Sequence, residues 1–207
     1  MNATTQTPTI RFVKTGRCPA CLSRSGLLQI FHLTQFDVFL CGCGTRFIDP
    51  SLDGASQMAI YQSSELLAQI NPALERYYEY ETLDPASVTC RDYDEALNRL
   101  KQFASGTRLL EVGCGSGSFL KFAKLKGWQV HGVDSGMENI RALREEGIDA
   151  TCSGFLDFQT SHRFDCIVFW DLIEHPQDPG EFIKKCRELL SPKGLILIAA
   201  QLDPNLL

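Results

Sequence analysis

The chain lacks the two features that would send it into or across a membrane. Although 44% of its 207 residues are hydrophobic, no apolar run approaches the roughly 20 residues of a membrane-spanning helix. The first ten residues, MNATTQTPTI, are polar and lack the apolar core of a secretory signal peptide. We therefore expect a cytoplasmic protein without a membrane partner.

The chain also lacks the surplus of positive charge that is typical of nucleic-acid-binding proteins. Lys and Arg number 20 against 25 Asp and Glu, which gives a net charge of −5. This acidic balance argues against nucleic acid as the main partner and leaves a small molecule or a protein. The sequence carries no sign of an oligomeric state.

Cysteine, in contrast, is abundant. With no secretory signal, nine cysteines indicate thiols or metal ligands rather than disulfides. Four of them form two short pairs, Cys18-Pro-Ala-Cys21 and Cys41-Gly-Cys43. A tight turn can place two thiolates at two corners of a zinc tetrahedron, and the apolar segments between the pairs predict a hairpin that joins them. Residues 1–50 are therefore predicted to form a zinc-ribbon-like module, with a structural Zn²⁺ held by Cys18, Cys21, Cys41 and Cys43.

Two alternatives to a zinc site stay open. The second pair has one intervening residue instead of two, which departs from a regular ribbon. One alternative is a ribbon that has lost its metal. The other is redox use of Cys18 and Cys21, although the βαβ context that is usual for a redox pair is missing. His32 in the hairpin is either a further ligand or an ordinary surface residue.

Residues 51–104 are predicted to be a helical connector. Residues 63–70 and 74–80 favour helices with a break at Asn71-Pro72, and residues 92–103 carry apolar side chains three and four positions apart. An aromatic cluster within this region has two interpretations: a lid over a ligand site, or packing between the module and the rest of the chain. Its members are Tyr77, Tyr78 and Tyr80.

The most informative stretch is LLEVGCGSGSFL, at positions 109–120. A predicted strand over residues 107–112 runs into three alternating glycines, and a helix is predicted from Ser118 to Lys126. Glycines allow positive φ and close approach of a ligand, and the first helical N–H groups face it. The next predicted strand ends at Asp134, where an acid can bind ribose hydroxyls. Ser118 stands where a dinucleotide fingerprint would have its third glycine.

These residues resemble the first motif and second strand of class I S-adenosylmethionine-dependent methyltransferases. The resemblance implies an α/β fold over residues 105–207, a Rossmann-like, doubly wound and mostly parallel sheet. It also implies S-adenosylmethionine as the cofactor, with its adenine bound by residues that follow the third strand. Asp157 lies in that segment and either contacts the adenine or is a solvated loop acid. The implied cofactor-binding residues are Glu111, Gly113, Cys114, Gly115, Gly117, Asp134, Ser135, Phe155, Asp157 and Asp171.

A near-continuous apolar run at residues 163–171 predicts a buried fourth strand. The sequence that follows, Leu-Ile-Glu-His and later Asp-Pro, resembles the fourth-strand motif of the same family. For an oxygen acceptor, His175 would be the catalytic base, because its ordinary pKa lies near neutrality; the alternative is a capping role. No Asn/Asp-Pro-Pro-Tyr tetrapeptide follows, which argues against an amino-directed nucleic-acid or protein methyltransferase.

The cysteine module resembles the zinc-binding domain that precedes the methyltransferase core in one bacterial group, with Cys43-Gly44, Phe47 and Pro50 matching its tail. Methyltransferases with this module resemble enzymes that act on nucleotide-linked sugars or other small metabolites, and the Glu-His element resembles quinone-type O-methyltransferases. The resemblance implies methyl transfer to oxygen or carbon of a small-molecule acceptor. A fifth strand is predicted at residues 195–200, after a helix at 181–190, and we expect a core that is C-terminally incomplete, as in a fragment.

Two rival functions remain at this point. A nicotinamide or flavin enzyme could use a similar sheet, but the glycine spacing argues against it. A non-catalytic zinc-ribbon and cofactor-binding module that docks a protein partner is the other alternative.

Overall fold

The computed structural model describes residues 10–61 and 87–200. These residues form a three-stranded antiparallel sheet, a two-stranded ribbon and a five-stranded sheet. The helices predicted at residues 63–70 and 74–80, and the tyrosine cluster between Tyr77 and Tyr80, lie outside the described residues. Within the described ranges, no helix is long and apolar enough to cross a membrane.

The N-terminal sheet is built from the hairpin predicted between the cysteine pairs and one further strand. Strands β2 (Leu27–His32), β3 (Asp37–Cys41) and β4 (Arg46–Asp49) are antiparallel in that order. The Asp49 carboxylate, only 2% exposed, accepts the backbone N–H groups of Thr15 (2.8 Å) and Gly16 (3.0 Å). These two hydrogen bonds hold the segment before the first cysteine pair against the sheet.

Two short strands and a helix lead out of this sheet. Strand β1 (Phe12–Val13) pairs antiparallel with β5 (Ser51–Leu52), and helix α1 (Gly54–Tyr61) follows at once. Asp53 caps α1 by accepting the N–H of Ser56 at 2.7 Å.

Helix α2 (Val88–Phe103) precedes the core sheet and begins earlier than its apolar pattern predicts. The Ser87 hydroxyl accepts the N–H of Cys90 at 3.1 Å, which caps a helix start four residues before the predicted Asp92. Its buried residues Ala96, Leu97 and Leu100 pack towards the core.

The core sheet is entirely parallel, with strand order β10-β9-β6-β7-β8. The Rossmann-like prediction is thereby confirmed. The strand order reverses between β6 and β9, which is where such sheets bind ligands at their carboxyl ends. Its strands are β6 (Arg108–Val112), β7 (Gln129–Asp134), β8 (Asp149–Cys152), β9 (Phe164–Trp170) and β10 (Leu190–Ala199). The helices between them are α3 (Ser118–Leu125), α4 (Met137–Glu145) and α5 (Pro179–Leu189).

Both faces of this sheet are covered. Leu109 belongs to a buried cluster with Phe119 of α3, whereas its neighbour Leu110 belongs to a second cluster with Cys186 of α5. Adjacent strand residues point to opposite faces, so two apolar neighbours need two covering layers. The division of the chain at residues 50 and 104 stays a prediction.

The fifth core strand starts earlier than predicted. Leu190 already pairs with Phe164, and the register then shifts before Leu195 pairs with Cys166. The Ser-Pro-Lys-Gly turn after α5 therefore lies inside β10 as an irregularity, with Lys193 at a φ of 64°. Turn-forming residues alone could not distinguish such a bulge from a separate turn.

Candidate functional site

A cavity of about 650 Å³ lies at the carboxyl ends of β6, β7 and β9, at the reversal of strand order. Most of the predicted cofactor-binding residues line it, whereas Gly117 and Asp157 do not. The lining includes Glu111, Gly113, Cys114, Gly115, Asp134, Ser135, Phe155, Asp171 and His175. A cavity of this size is typical of a small-molecule or cofactor site.

The glycine turn has the backbone shape that its sequence predicts. Gly113, Gly115 and Gly117 all have positive φ, at 71°, 48° and 71°. Gly117 caps α3 and serves packing, because a Cβ there would lie 2.3 Å from Cδ2 of Leu143. Gly113 and Gly115 instead present their backbone to the cavity.

Glu111 is the most unusual group in the cavity wall. It is 4% exposed, and within the described residues its Oε2 atom has no hydrogen-bond partner. Burial, followed by the nearby charge of Asp134, raises the Glu111 pKa well above its ordinary value, against the opposing effect of a backbone hydrogen bond with Leu120. A buried acceptor atom of this kind can accept a hydrogen bond from a ligand in the cavity or pair with its cation.

Asp134 organises the turn that faces it. Its Oδ2 accepts the N–H of Gly115 at 2.9 Å, and its Oδ1 accepts the N–H of Gly136 at 2.7 Å. Each carboxylate oxygen keeps a further lone pair for another donor. Asp134 can therefore hold the glycine loop and still accept hydroxyl groups of a ligand in the cavity.

Cys114 is a packing residue in the turn and has no features of a nucleophile. Burial, and then the charges of Glu111 and Asp134, raise its pKa well above the ordinary thiol value, so the thiol stays neutral. A Cβ on Gly132 would lie 2.7 Å from its Sγ, which explains why β7 has a glycine beside it.

Sequence patterns missed an aromatic group on the cavity wall. Tyr93 of α2 lies edge-on to Phe119 and Trp170, with both ring centroids 5.1 Å away, and Phe119 lies 5.3 Å from Trp170. All three rings line the cavity. Tyr93 was visible in the sequence only as part of an apolar helix face, because its partners lie on two distant elements.

A second missed wall comes from α1, which contributes Gln57, Met58 and Tyr61 to the lining. No local pattern marks these residues. Their role follows only from the way the N-terminal part folds back onto the loop after β9.

The loop after β9 presents Asp171 and His175 at the cavity rim, and both are exposed. Asp171 has a φ of 43°, and its N–H donates to Ala199 O at 2.8 Å. The capping of α5 is supplied by Asp178, whose side chain accepts the N–H of Glu181. The His175 ring instead lies 5.6 Å from the Tyr61 ring.

The two residues predicted for the adenine end are separated. Phe155 is buried, lines the cavity and packs against Phe169 and Phe182 at 5.9 and 5.2 Å. Asp157 is exposed and lies outside the lining, with its N–H donating to Gly154 O.

The four predicted metal ligands come together. The Sγ atoms of Cys18, Cys21, Cys41 and Cys43 all lie within 4.8 Å of one another. The Sγ–Sγ distances are 3.7 Å for Cys18–Cys43 and 3.5 Å for Cys21–Cys41. In a tetrahedral zinc site with Zn–S bonds of about 2.3 Å, neighbouring sulfur atoms lie about 3.8 Å apart, which is close to both values. His32 is not in this cluster, because its Nδ1 pairs with Asp37 at 2.6 Å.

Curated relatives share a substantial part of the chain. Proteins named ubiquinone biosynthesis O-methyltransferase are 31% identical over 118 residues in Bradyrhizobium diazoefficiens (54% of this chain, 46% of the relative) and 28% identical over 164 residues in Rhodopseudomonas palustris (73% and 63%). One from Nitrobacter winogradskyi is 34% identical over 124 residues (57% and 47%). The matched part of this chain thus spans about half to just under two thirds of these relatives.

A solved structure shows the same fold. The S-adenosylmethionine-bound amino pentose methyltransferase from Micromonospora echinaspora superposes with a TM-score of 0.52 at 16% identity, over 61% of each chain. The family model described as a methyltransferase domain matches residues 81–205, which is more than half of the sequence. The chain therefore belongs to the methyltransferase-domain family and has the class I S-adenosylmethionine-dependent methyltransferase fold.

Proposed function

We propose that this chain binds S-adenosylmethionine and transfers its methyl group to a small-molecule acceptor. The observation that carries the proposal is the buried Oε2 of Glu111 in the cavity wall, which has no hydrogen-bond partner among residues 10–61 and 87–200. A cationic amino group, such as that of the methionyl part of the cofactor, would give this atom a partner and favour the ionised carboxylate.

The other lining groups fit the remaining parts of the same molecule. Asp134 would bind the ribose hydroxyls through its unused lone pairs, with Ser135 beside it. The backbone of Gly113, Cys114 and Gly115 would allow close approach of the cofactor, and Phe155 would offer an apolar surface to adenine. Gly117 would act indirectly, by shaping the turn. Asp171 would lie at the methionine end.

The cofactor supplies an electrophilic methyl group, and the protein supplies position and electrostatics. Methyl transfer by in-line displacement needs the acceptor atom opposite the leaving sulfur. For an oxygen acceptor, His175 at the cavity rim would take the hydroxyl proton as the general base.

The acceptor is proposed only as a class, a sugar or other small metabolite methylated at oxygen or carbon. The curated relatives are named for ubiquinone biosynthesis, which favours a phenolic or quinol-type oxygen acceptor. The aromatic wall formed by Tyr93, Phe119 and Trp170 would suit a planar ring.

We also propose that the cysteine cluster binds a structural Zn²⁺. Four thiolates fill a tetrahedral coordination sphere and leave no open position for chemistry. The near-tetrahedral Sγ distances support this assignment. Metal analysis of the purified chain should find one zinc per chain.

The proposed activity is tested with methyl-labelled S-adenosylmethionine and two probe acceptors, the catechol 3,4-dihydroxybenzoate and a nucleoside diphosphate hexose. We expect labelled product with the catechol, and a loss of at least about 100-fold in His175→Ala, the size typical of a general base. His162→Ala is the matched control, since His162 is exposed and outside the cavity lining. Full turnover by His175→Ala would remove His175 from the mechanism. A zinc-loaded chain that does not bind S-adenosylhomocysteine would favour the protein-docking alternative.

A further inference from the structure

Helix α1 is held to the loop that carries His175. The Gln57 side-chain amide donates to the backbone carbonyl of His175 at 2.7 Å, across 118 positions of sequence. One helical turn later, the Tyr61 ring contacts the His175 ring edge-on at 5.6 Å. Both α1 residues line the cavity, so this contact lies at the cavity mouth.

The same helix also reaches the opposite rim. Met58 Cε lies 3.4 Å from the position that a Cβ would take on Gly154, the residue that opens the segment expected to face adenine. Gln57 and Met58 thus contact the loop after β9 and the loop after β8. Helix α1 spans the cavity between them.

The start of α1 is fixed to the N-terminal part of the chain. Asp53 N–H donates to Arg11 O at 3.0 Å, and Arg11 N–H donates to the buried Ser56 hydroxyl at 2.8 Å. In addition, the Gln177 amide of the loop after β9 donates to Leu52 O, just before the helix. These bonds hold α1 at one end, whereas the Gln57–His175 bond holds it over the cavity.

We propose that α1 forms a retaining wall of the cofactor pocket and that Gln57 is a positioning residue for S-adenosylmethionine and its product S-adenosylhomocysteine. Gln57 acts through the His175 carbonyl, which it keeps against the helix while the ligand is bound. This inference rests on the proposed function, because it assigns the ligand to the same cavity. It adds a part of the pocket that lies N-terminal to the glycine turn and outside residues 81–205, the range matched by the family model.

Two substitutions of Gln57 test its hydrogen bond to His175 with side chains of similar length, one that removes the donor and one that restores it. Gln57→Met keeps an unbranched chain and cannot donate, whereas Gln57→Lys restores a donor. Gln102→Met and Gln102→Lys are matched controls on the exposed face of α2. S-adenosylhomocysteine is the probe because its amino and carboxyl charges cancel. The positive charge that Gln57→Lys introduces then has little net electrostatic effect on binding.

The test uses the zinc-loaded full chain, calorimetry for the dissociation constant and stopped-flow fluorescence of the tryptophans for the dissociation rate. We expect Gln57→Met to weaken binding about tenfold, the effect of losing one hydrogen bond of ordinary strength, with most of the change in the dissociation rate. Gln57→Lys should return to within about threefold of wild type. Both Gln102 variants should match wild type.

Two results would overturn the inference and leave the proposed function intact. One is wild-type affinity and dissociation rate in Gln57→Met, and the other is a Gln57→Lys that releases the probe as fast as Gln57→Met. Absence of binding by the folded wild-type chain would instead refute the proposed function, and this inference with it.

Discussion

Replacing Glu111 by Gln is expected to stabilise the empty protein and to weaken its ligand binding. Glu111 is 4% exposed, and its Oε2 has no partner within the described residues. Burial raises its pKa well above the ordinary value of Glu. The amide keeps the shape and the acceptor oxygen of the carboxyl group, but it never carries a charge.

The sign of the pH effect follows from the raised pKa. The folded state holds the Glu111 proton more tightly than the unfolded state. The free energy of unfolding therefore keeps its full value below the unfolded pKa of about 4.3 and falls as pH rises towards the folded pKa. The loss is about 1.4 kcal/mol for each pH unit in that window, or at most about 2.7 kcal/mol between pH 5 and pH 7. Glu111→Gln removes this loss.

Thermal unfolding of wild type and Glu111→Gln from pH 5 to pH 7 measures the difference. For a chain of this size, each kcal/mol shifts the melting temperature by about 2–4 °C, so the gap should widen with pH by up to about 5–11 °C. Glu188→Gln, at an exposed position on α5, is the control and should show no widening. A gap that is constant with pH would refute the reasoning.

The same substitution should weaken S-adenosylhomocysteine binding at least about 30-fold, because it would remove the protein's partner in the proposed charge pair with the ligand's amino group. Calorimetry at neutral pH measures this. Binding that is unchanged in Glu111→Gln would contradict the assigned role of the carboxylate.

Three further outcomes are expected. Gly117→Ala should lower the free energy of unfolding by about 2–4 kcal/mol in urea titrations, because the new Cβ would lie 2.3 Å from Leu143 at a residue with positive φ. Gly127 also has positive φ but has open space around it, so the control Gly127→Ala should lower the free energy of unfolding by only about 1 kcal/mol. Cys41→Ser should lower bound zinc below one per chain in metal analysis, whereas Cys152→Ser, outside the cluster, should not. Asp49→Ala should destabilise the chain by about 2–4 kcal/mol in the same urea titrations, because it leaves the N–H groups of Thr15 and Gly16 without their acceptor.

Local signals in the sequence predicted most of the core. The strand, glycine turn and helix around Gly113 and the apolar run of β9 each carry their pattern within a few residues, so the parallel sheet followed directly. The cysteine spacing predicted the cluster in the same way. The start of β10 was missed because a bulge and a separate turn use the same residues.

The rest of the site depends on contacts between distant parts of the chain. Gln57 meets His175, and Tyr93 meets Trp170, only after the elements pack. The lack of a partner for Glu111 Oε2 among the described residues is likewise a property of its surroundings, which no spacing in the sequence reports. The exposure of Asp157 could not be read from its position after β8 for the same reason.

The most direct test of the central claim is calorimetric titration of the zinc-loaded 207-residue chain with S-adenosylhomocysteine, alongside Asp134→Ala and Asp157→Ala. Asp134 lines the cavity and Asp157 does not, so one acid should matter and the other should not. The account predicts binding by wild type and by Asp157→Ala, and loss of binding in Asp134→Ala. A folded wild-type chain that does not bind S-adenosylhomocysteine, or an Asp134→Ala variant that binds it as wild type does, would contradict the account.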